Sequence, residues 1–447
     1  NMSIEASSTF TVIEPETMPA LFQGRAGPDK GCYLYGRHFN PTVYNLGRQM
    51  AALEGTEAAY CAASGLGAIS SVFLSLCDQG DEIVAFNAIY GGTFAFLHFF
   101  LPAKSGIKTS FVDITDPDAV ASVITERTRL IFTESIAIPT LRLADIPRLS
   151  EIAREAGISL VVDNTFTPLV LSPARLGADI VVHSITKFIS GASDVIAGAI
   201  CGTEECIGKL MDLHTGPLML LGATMDPHEA STISLRIPHL PLRMTAHGER
   251  ALAIAQRLDQ LGLDVCYPGL ERHADHERFK ELHCPEYGFG GVFTLDCGSV
   301  ERANALMSCL QNEMRFGYLA VSLGYFDTLM SCSGSTTSSE MTEEDKIAAG
   351  IVPGLVRMSV GYTGTLEQRW EQLSTVLQEI GAPAVEAFNR LAESTVTESL
   401  PAALLLGETQ HKWRKHARTA DHRVTVNMPI TMKSLRELLA RLIPLRT

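Results

Sequence analysis

Residues 161–187 read VVDNTFTPLVLSPARLGADIVVHSITK. Two short apolar runs rich in β-branched residues, 159–162 and 180–182, suit strands buried on both faces of a parallel sheet. Each ends in polar residues: Asp163-Asn164-Thr165 after the first, His183-Ser184-Ile185-Thr186-Lys187 after the second. In open α/β sheets, ligands sit beyond the carboxyl ends of the strands. The stretch therefore aims an acid, hydroxyls and a lysine at one crevice. A lysine in that place can form a Schiff base with a carbonyl cofactor, and the acid can pair with a protonated ring nitrogen. These are the requirements of pyridoxal 5'-phosphate (PLP).

The totals narrow the class. A chain of 447 residues exceeds one ordinary core, so two or three domains are expected. A net charge of −14 argues against nucleic acid as a partner. No uninterrupted apolar run is long enough for a membrane span. No basic stretch leads into an apolar one near residue 1, so no secretory leader is expected, and the expected location is the cytoplasm. The ten cysteines form neither CxxC pairs nor a compact framework. That spacing suits reduced thiols better than disulfides, and no metal site is expected.

Outward from the opening stretch, residues 1–44 read as an extended arm, β-like at 2–12 and then broken by Pro15, Pro19, Gly24, Gly27 and Pro28. In YLYGRHFNPT (33–42), Tyr35 and Arg37 share a face of an extended segment, and such a pair can clamp a phosphate. Thr42 is placed to cap a helix running to about Glu54. CAASGLGAISS (61–71) turns through Ser64-Gly65-Leu66-Gly67 into a helix whose first amides can approach an anion. Strands are expected at 82–86, 109–112 and 130–133, with helices at 117–124 and 146–156. Residues 235–261 read as a long helix broken by Pro238 and Pro241, bridging into a second domain. There, strands are expected at 291–296, 319–322 and 354–360, with helices at 302–311 and 366–380. Arg357 stands mid-strand among apolar neighbours and so needs an anionic partner.

Taken together, the VVDN and HSITK segments, Tyr-x-Arg with Asn-Pro-Thr, YCAASG, VLSPARLGAD, LMLLG and TLMSCSGS resemble the Cys/Met-metabolism family of PLP enzymes over roughly residues 1–380. Within it, the likeness is to the plant-type methionine γ-lyase branch. The resemblance implies an aspartate-aminotransferase-like fold (fold type I): α/β, with a mostly parallel central sheet and a smaller C-terminal α/β domain. It also implies the site. Lys187 would carry PLP, Asp163 would hold the pyridinium nitrogen, and Ser64, Gly65, Leu66, Ser184 and Thr186 would surround the phosphate and the lysine. Tyr90 would stack on the ring and shuttle a proton. Arg357, assisted by Ser322, would bind the substrate carboxylate. Tyr35 and Arg37 would reach the phosphate of a neighbouring subunit, in a homotetramer built as a dimer of dimers. Ile138 departs from the pattern, since most relatives carry an asparagine there that binds the cofactor's phenolic oxygen and the substrate carboxylate.

The domain expectation is an arm at 1–44, a PLP-binding domain at 45–245, a small domain at 246–380 and a tail at 381–447. The tail carries ten Lys/Arg against six Asp/Glu, mildly basic on an acidic chain, and matches nothing in the family. The activity implied by resemblance is γ-elimination on a sulfur amino acid, L-methionine giving methanethiol, 2-oxobutanoate and ammonia. The alternative is γ-replacement, as in cystathionine synthesis, O-acetylhomoserine sulfhydrylation or a specialised carbon–carbon bond-forming step. A PLP-binding protein without activity is disfavoured by the joint presence of Asp163, Lys187, Tyr90 and Arg357.

Overall fold

The computed structural model describes residues 3–113, 115–333, 346 and 350–379. The first sheet runs in the order β1-β7-β6-β5-β4-β2-β3. Its strands are β1 (Ala58–Ala62), β2 (Glu82–Phe86), β3 (Lys108–Val112), β4 (Thr128–Glu134), β5 (Ser159–Asp163), β6 (Ile180–His183) and β7 (Gly198–Gly202). Every neighbouring pair is parallel except the two made by β7. The central strands are apolar on both faces because helices cover both. Leu160, Val161, Val162, Val181 and Val182 are all fully buried. In β5 and β6 the polar side chains begin where the strands end, so Asp163 and His183 stand at the sheet's carboxyl edge.

A second sheet runs β10-β11-β12-β9-β8: β8 (Val265–Cys266), β9 (Val292–Asp296), β10 (Gly317–Leu319), β11 (Thr328–Cys332) and β12 (Leu355–Ser359). It is antiparallel except between β10 and β11. Helix Leu240–Gln260 joins the two cores. Leu240 and Met244 pack with the first, while Ala251, Ile254 and Leu258 pack with the second. Pro238 lies in a 3-10 turn before this helix, and Pro241 sits in its first turn, where no amide donor is needed. Only the first of these prolines interrupts the expected long helix.

Four expectations are corrected. Among its described residues the arm forms no strand; residue 9 makes a single bridge to Tyr35, and Thr17–Phe22 is a short helix. The cap of helix Pro41–Glu54 is Asn40, whose side chain accepts from the Thr42 and Val43 amides at 2.9 and 3.2 Å. Pro41 occupies the first helical position, which puts Thr42 inside the helix, where its hydroxyl accepts from the Glu5 amide at 2.9 Å. The strand expected at 319–322 ends at Leu319. Beyond it, Ser322 turns toward Lys187 and Gly324 adopts a positive φ of 72°. Finally, the helix expected at 302–311 begins at Val300, capped by Ser299, whose hydroxyl accepts from the Arg302 amide. The tail at 381–447 lies outside the described residues. No disulfide forms among the described residues. No helix among them is long and apolar enough to cross a membrane.

Removing the cap should be measurable. Asn40→Ala is expected to cost about 1 kcal/mol, seen as a lower thermal midpoint. It also frees the arm, because Asn40 donates to the Glu5 carbonyl at 2.7 Å.

Candidate active site

At the carboxyl edge of the first sheet lies a cavity of about 360 Å³. Strand β5 delivers Asp163 to it, and the turn after β6 delivers Ser184, Thr186 and Lys187. The start of helix Gly65–Leu76 supplies Ser64, Gly65 and Leu66, while β12 supplies Arg357. Tyr90, Ile138 and Ser322 complete the candidates that line it. Tyr35 and Arg37 do not line it. Arg37 donates to the Met219 carbonyl at 3.0 Å and lies over the Tyr35 ring at 5.6 Å.

The Lys187 amine donates to the Ser322 hydroxyl at 3.1 Å. Partial burial, and then the Arg357 charge, hold its pKa below the ordinary lysine value, which favours the neutral, nucleophilic amine. Its turn is braced from behind. The buried Arg243 guanidinium donates to the carbonyls of Phe188 and, at 2.8 Å, Ile189. Gly324 packs so closely on Phe188 that a Cβ there would fall 2.6 Å from the Phe188 backbone. The Thr186 hydroxyl both donates to and accepts from the backbone of residue 197. It therefore fixes the lysine turn.

Asp163 is buried, and burial pushes its carboxyl above the usual range. The Thr165 amide, donating at 2.9 Å, and the His183 charge pull the other way. Its register partner on β4 is Glu134. Burial first and then the Asp163 charge push Glu134 up to about 8, so it is largely protonated at neutral pH. Glu134 accepts from the Tyr90 amide at 2.7 Å. It thereby anchors the backbone beneath the exposed Tyr90 ring. That ring occupies the space a side chain at position 92 would need, since a Cβ on Gly92 would fall 2.6 Å from it. Arg357 is buried, and its pKa is lowered to about 10 by that burial. It donates to the Ser322 carbonyl at 3.1 Å, and its Nε has no partner among the described residues.

These residues fit PLP. A Cβ on Gly65 would fall 2.7 Å from the Ser184 Cβ, and one on Gly198 would fall 2.2 Å from the Ser64 carbonyl. The cradle thus depends on missing side chains. Ser64 caps the helix by accepting from the Gly67 amide at 2.9 Å. The first-turn amides of Gly65 and Leu66 are left for an anion.

The chain matches the family model "Cys/Met metabolism PLP-dependent enzyme" over residues 1–367. It belongs to that family. Methionine gamma-lyase of Arabidopsis thaliana is 60% identical over 373 residues, 83% of this chain and 85% of that protein. L-methionine gamma-lyase of Pseudomonas putida is 37% identical, covering 85% of this chain and 92% of that protein. A crystal structure of a putative O-acetylhomoserine (thiol)-lyase from Campylobacter jejuni aligns with a TM-score of 0.78 at 26% identity. The match covers 84% of this chain and 95% of that one, which carries a pyridoxyl-lysine phosphate. Cystathionine gamma synthase from Xanthomonas oryzae, solved with cystathionine, aligns at 0.75 and 31% identity, covering 86% and 93%. The enzyme is PLP-dependent and has the α/β architecture of fold type I.

Sequence reasoning missed Glu134, Arg243 and Gly324. Glu134 carried a usable signal, an acid at the end of a β-branched run, just as Asp163 does. Arg243 and Gly324 had none, because their work is to pack against the lysine turn from distant segments.

Gly65→Ala is expected to weaken PLP binding at least tenfold, equivalent to about 1.4 kcal/mol, in a titration of apoprotein; unchanged affinity would mean the cradle is not used. In Arg357→Gln the charge beside Lys187 is gone, so the amine pKa rises. The pH profile of cofactor attachment, followed by absorbance, should then move to the alkaline side.

Proposed function

We propose that this enzyme performs γ-elimination on a sulfur amino acid, taking L-methionine and water to methanethiol, 2-oxobutanoate and ammonia. The observation that carries the reading is the 60% identity to a methionine gamma-lyase over most of the chain. The pocket supports it. Ile69, Ile136 and Ile138 give it an apolar wall suited to a thioether, and Lys187 and Arg357 are the only basic side chains among its lining residues.

When bound, PLP supplies an electron sink for the substrate's α-carbon. The chain's own residues do the rest. Asp163 holds a proton on the ring nitrogen. Arg357, with its unpartnered Nε and the assistance of Ser322, takes the substrate carboxylate. Lys187 would hold the cofactor through its amine and, when that amine is free, would take the α-proton and then a β-proton. Tyr90 protonates the departing thiolate. Leu66, by its amide, and Ser184 hold the phosphate end.

Among the described residues, no arginine lines the end of the pocket formed by Ser64, Gly65 and Leu66. Tyr35 and Arg37 lie beside helix Pro217–Leu221, whose Leu220 and Leu221 are exposed. We assign Tyr35 and Arg37 to the phosphate of a neighbouring subunit, which makes a dimer the smallest active unit and a homotetramer the expected assembly, in the cytoplasm. γ-Replacement uses the same residues and differs only in a nucleophile entering where the thiol left. The apolar Ile138 wall, which offers no donor to fix the substrate pose, gives it standing as the second reading.

Incubation with methionine, cystathionine and O-acetylhomoserine, assaying 2-oxo acid and thiol, separates the two reactions. Methionine should give 2-oxobutanoate and methanethiol in equal amounts, whereas adducts without 2-oxo acid would establish replacement. Lys187→Ala should abolish turnover; a variant retaining near-normal rate would rule out this mechanism. Ile138→Asn should change KM for the amino acid severalfold, and identical kinetics would leave Ile138 without a role in substrate binding.

A further inference from the structure

Glu134 lines the pocket, and the proposed reaction gives it no part. It is the last residue of β4, is buried, and stands opposite Asp163 in the β4–β5 register. Its carboxyl oxygen Oε1 accepts from the Tyr90 amide at 2.7 Å, across 44 residues of sequence.

We propose that Glu134 is a positioning residue for Tyr90: its carboxyl oxygen holds the Tyr90 amide and so sets where the phenol stands at the pocket. The inference rests on the proton-transfer role given to Tyr90 under the proposed function.

Three observations support it. First, Tyr90 is 55% exposed, so packing does little to fix its ring and the backbone must. The Tyr90 carbonyl accepts from the Thr93 and Phe94 amides, each at 2.9 Å, at the start of helix Gly91–Ala95. Glu134 takes the amide on the other side of the same residue. Secondly, the ring folds back over Gly92, where a Cβ would fall 2.6 Å from it. A ring held that close to its own backbone moves when the backbone moves. Thirdly, Glu134 is a fixed post. The Thr133 hydroxyl donates to the Glu134 carbonyl at 2.9 Å, and the Ser135 amide donates to the Asp163 carbonyl at 2.9 Å. The strand end that carries Glu134 is thus tied to the one that carries Asp163. The Ile138 amide acts on the same carboxyl, so two residues that line the pocket bear on it. An amide asks only for a lone pair, which the carbonyl oxygen of a protonated carboxyl supplies. Glu134 therefore holds Tyr90 without adding a second charge beside Asp163.

The test uses PLP-loaded enzyme and four variants: Glu134→Leu, Glu134→Gln, Tyr90→Phe, and Glu134→Leu combined with Tyr90→Phe. The readouts are kcat and KM for methionine, and the circular dichroism of the bound cofactor, which reports how its ring is held. Leucine fills the space without an acceptor, whereas glutamine keeps one. Glu134→Leu should lower kcat about tenfold or more with KM within about twofold, and should change the cofactor's dichroic band. Glu134→Gln should recover most of both. Tyr90→Phe should itself lower kcat, and in that background Glu134→Leu should cost less than about twofold more, because the hydroxyl it positions is gone. Multiplicative losses in the double variant, no recovery with glutamine, an unchanged kcat in Glu134→Leu, or its failure to fold would leave Glu134 structural or idle and overturn the inference. A wild-type enzyme that releases no thiol from methionine, or Tyr90→Phe at wild-type kcat, would instead overturn the role given to Tyr90, and this inference with it.

Discussion

Two basic side chains, Lys187 and Arg357, line this pocket, and among the described residues neither is paired with a carboxylate. Among those residues Lys187 has the Ser322 hydroxyl and Arg357 the Ser322 carbonyl as partners, and the Arg357 charge adds to burial in holding the Lys187 amine toward its neutral form. A buried charge without a counter-ion is among the costliest features a fold can carry. The arrangement is resolved when an amine becomes a Schiff base and a guanidinium meets a carboxylate. Under the proposed function the ligands would answer both side chains: an aldehyde for one and an amino-acid carboxylate for the other. Asp163 and Glu134, side by side on neighbouring strands, create the opposite demand elsewhere in the same pocket. There, two carboxyl groups in one dry site cannot both be charged.

The parallel sheet makes this convergence possible. Strands that run the same way end on the same edge, so polar residues separated by long stretches of sequence arrive together. The precision comes from close backbone approaches. Gly65 lies against Ser184, Gly198 against Ser64, and Gly324 against Phe188. Arg243, reaching in from the helix that joins the two cores, holds the carbonyls just past Lys187. The lysine therefore sits on a turn clamped from two sides by segments remote in sequence.

Much of this was legible in the chain. Strands β5 and β6 follow from β-branched runs that stop at polar residues, and Asp163 and Lys187 follow from their places after those strands. The turn through Ser64 into helix Gly65–Leu76 could be read from small residues before a helix. Other parts were not legible, for reasons that can be named. Asn40 outcompeted Thr42 as a cap because Pro41 suits the first turn of a helix, so the helix starts there and the cap falls one residue earlier. The 319–322 segment is β-like by composition, but Gly324 must turn to pack on Phe188, and the strand stops short. Arg243 and Glu134 act through partners more than 40 residues away, which no local pattern reports.

The attachment point of the cofactor tests the account most directly. Borohydride reduction of the purified, PLP-loaded protein locks the cofactor onto its lysine, and peptide mass mapping locates it. The account predicts a single pyridoxyl adduct on the peptide containing Lys187. An adduct on another lysine, or none while the protein still turns over amino acid, would contradict it.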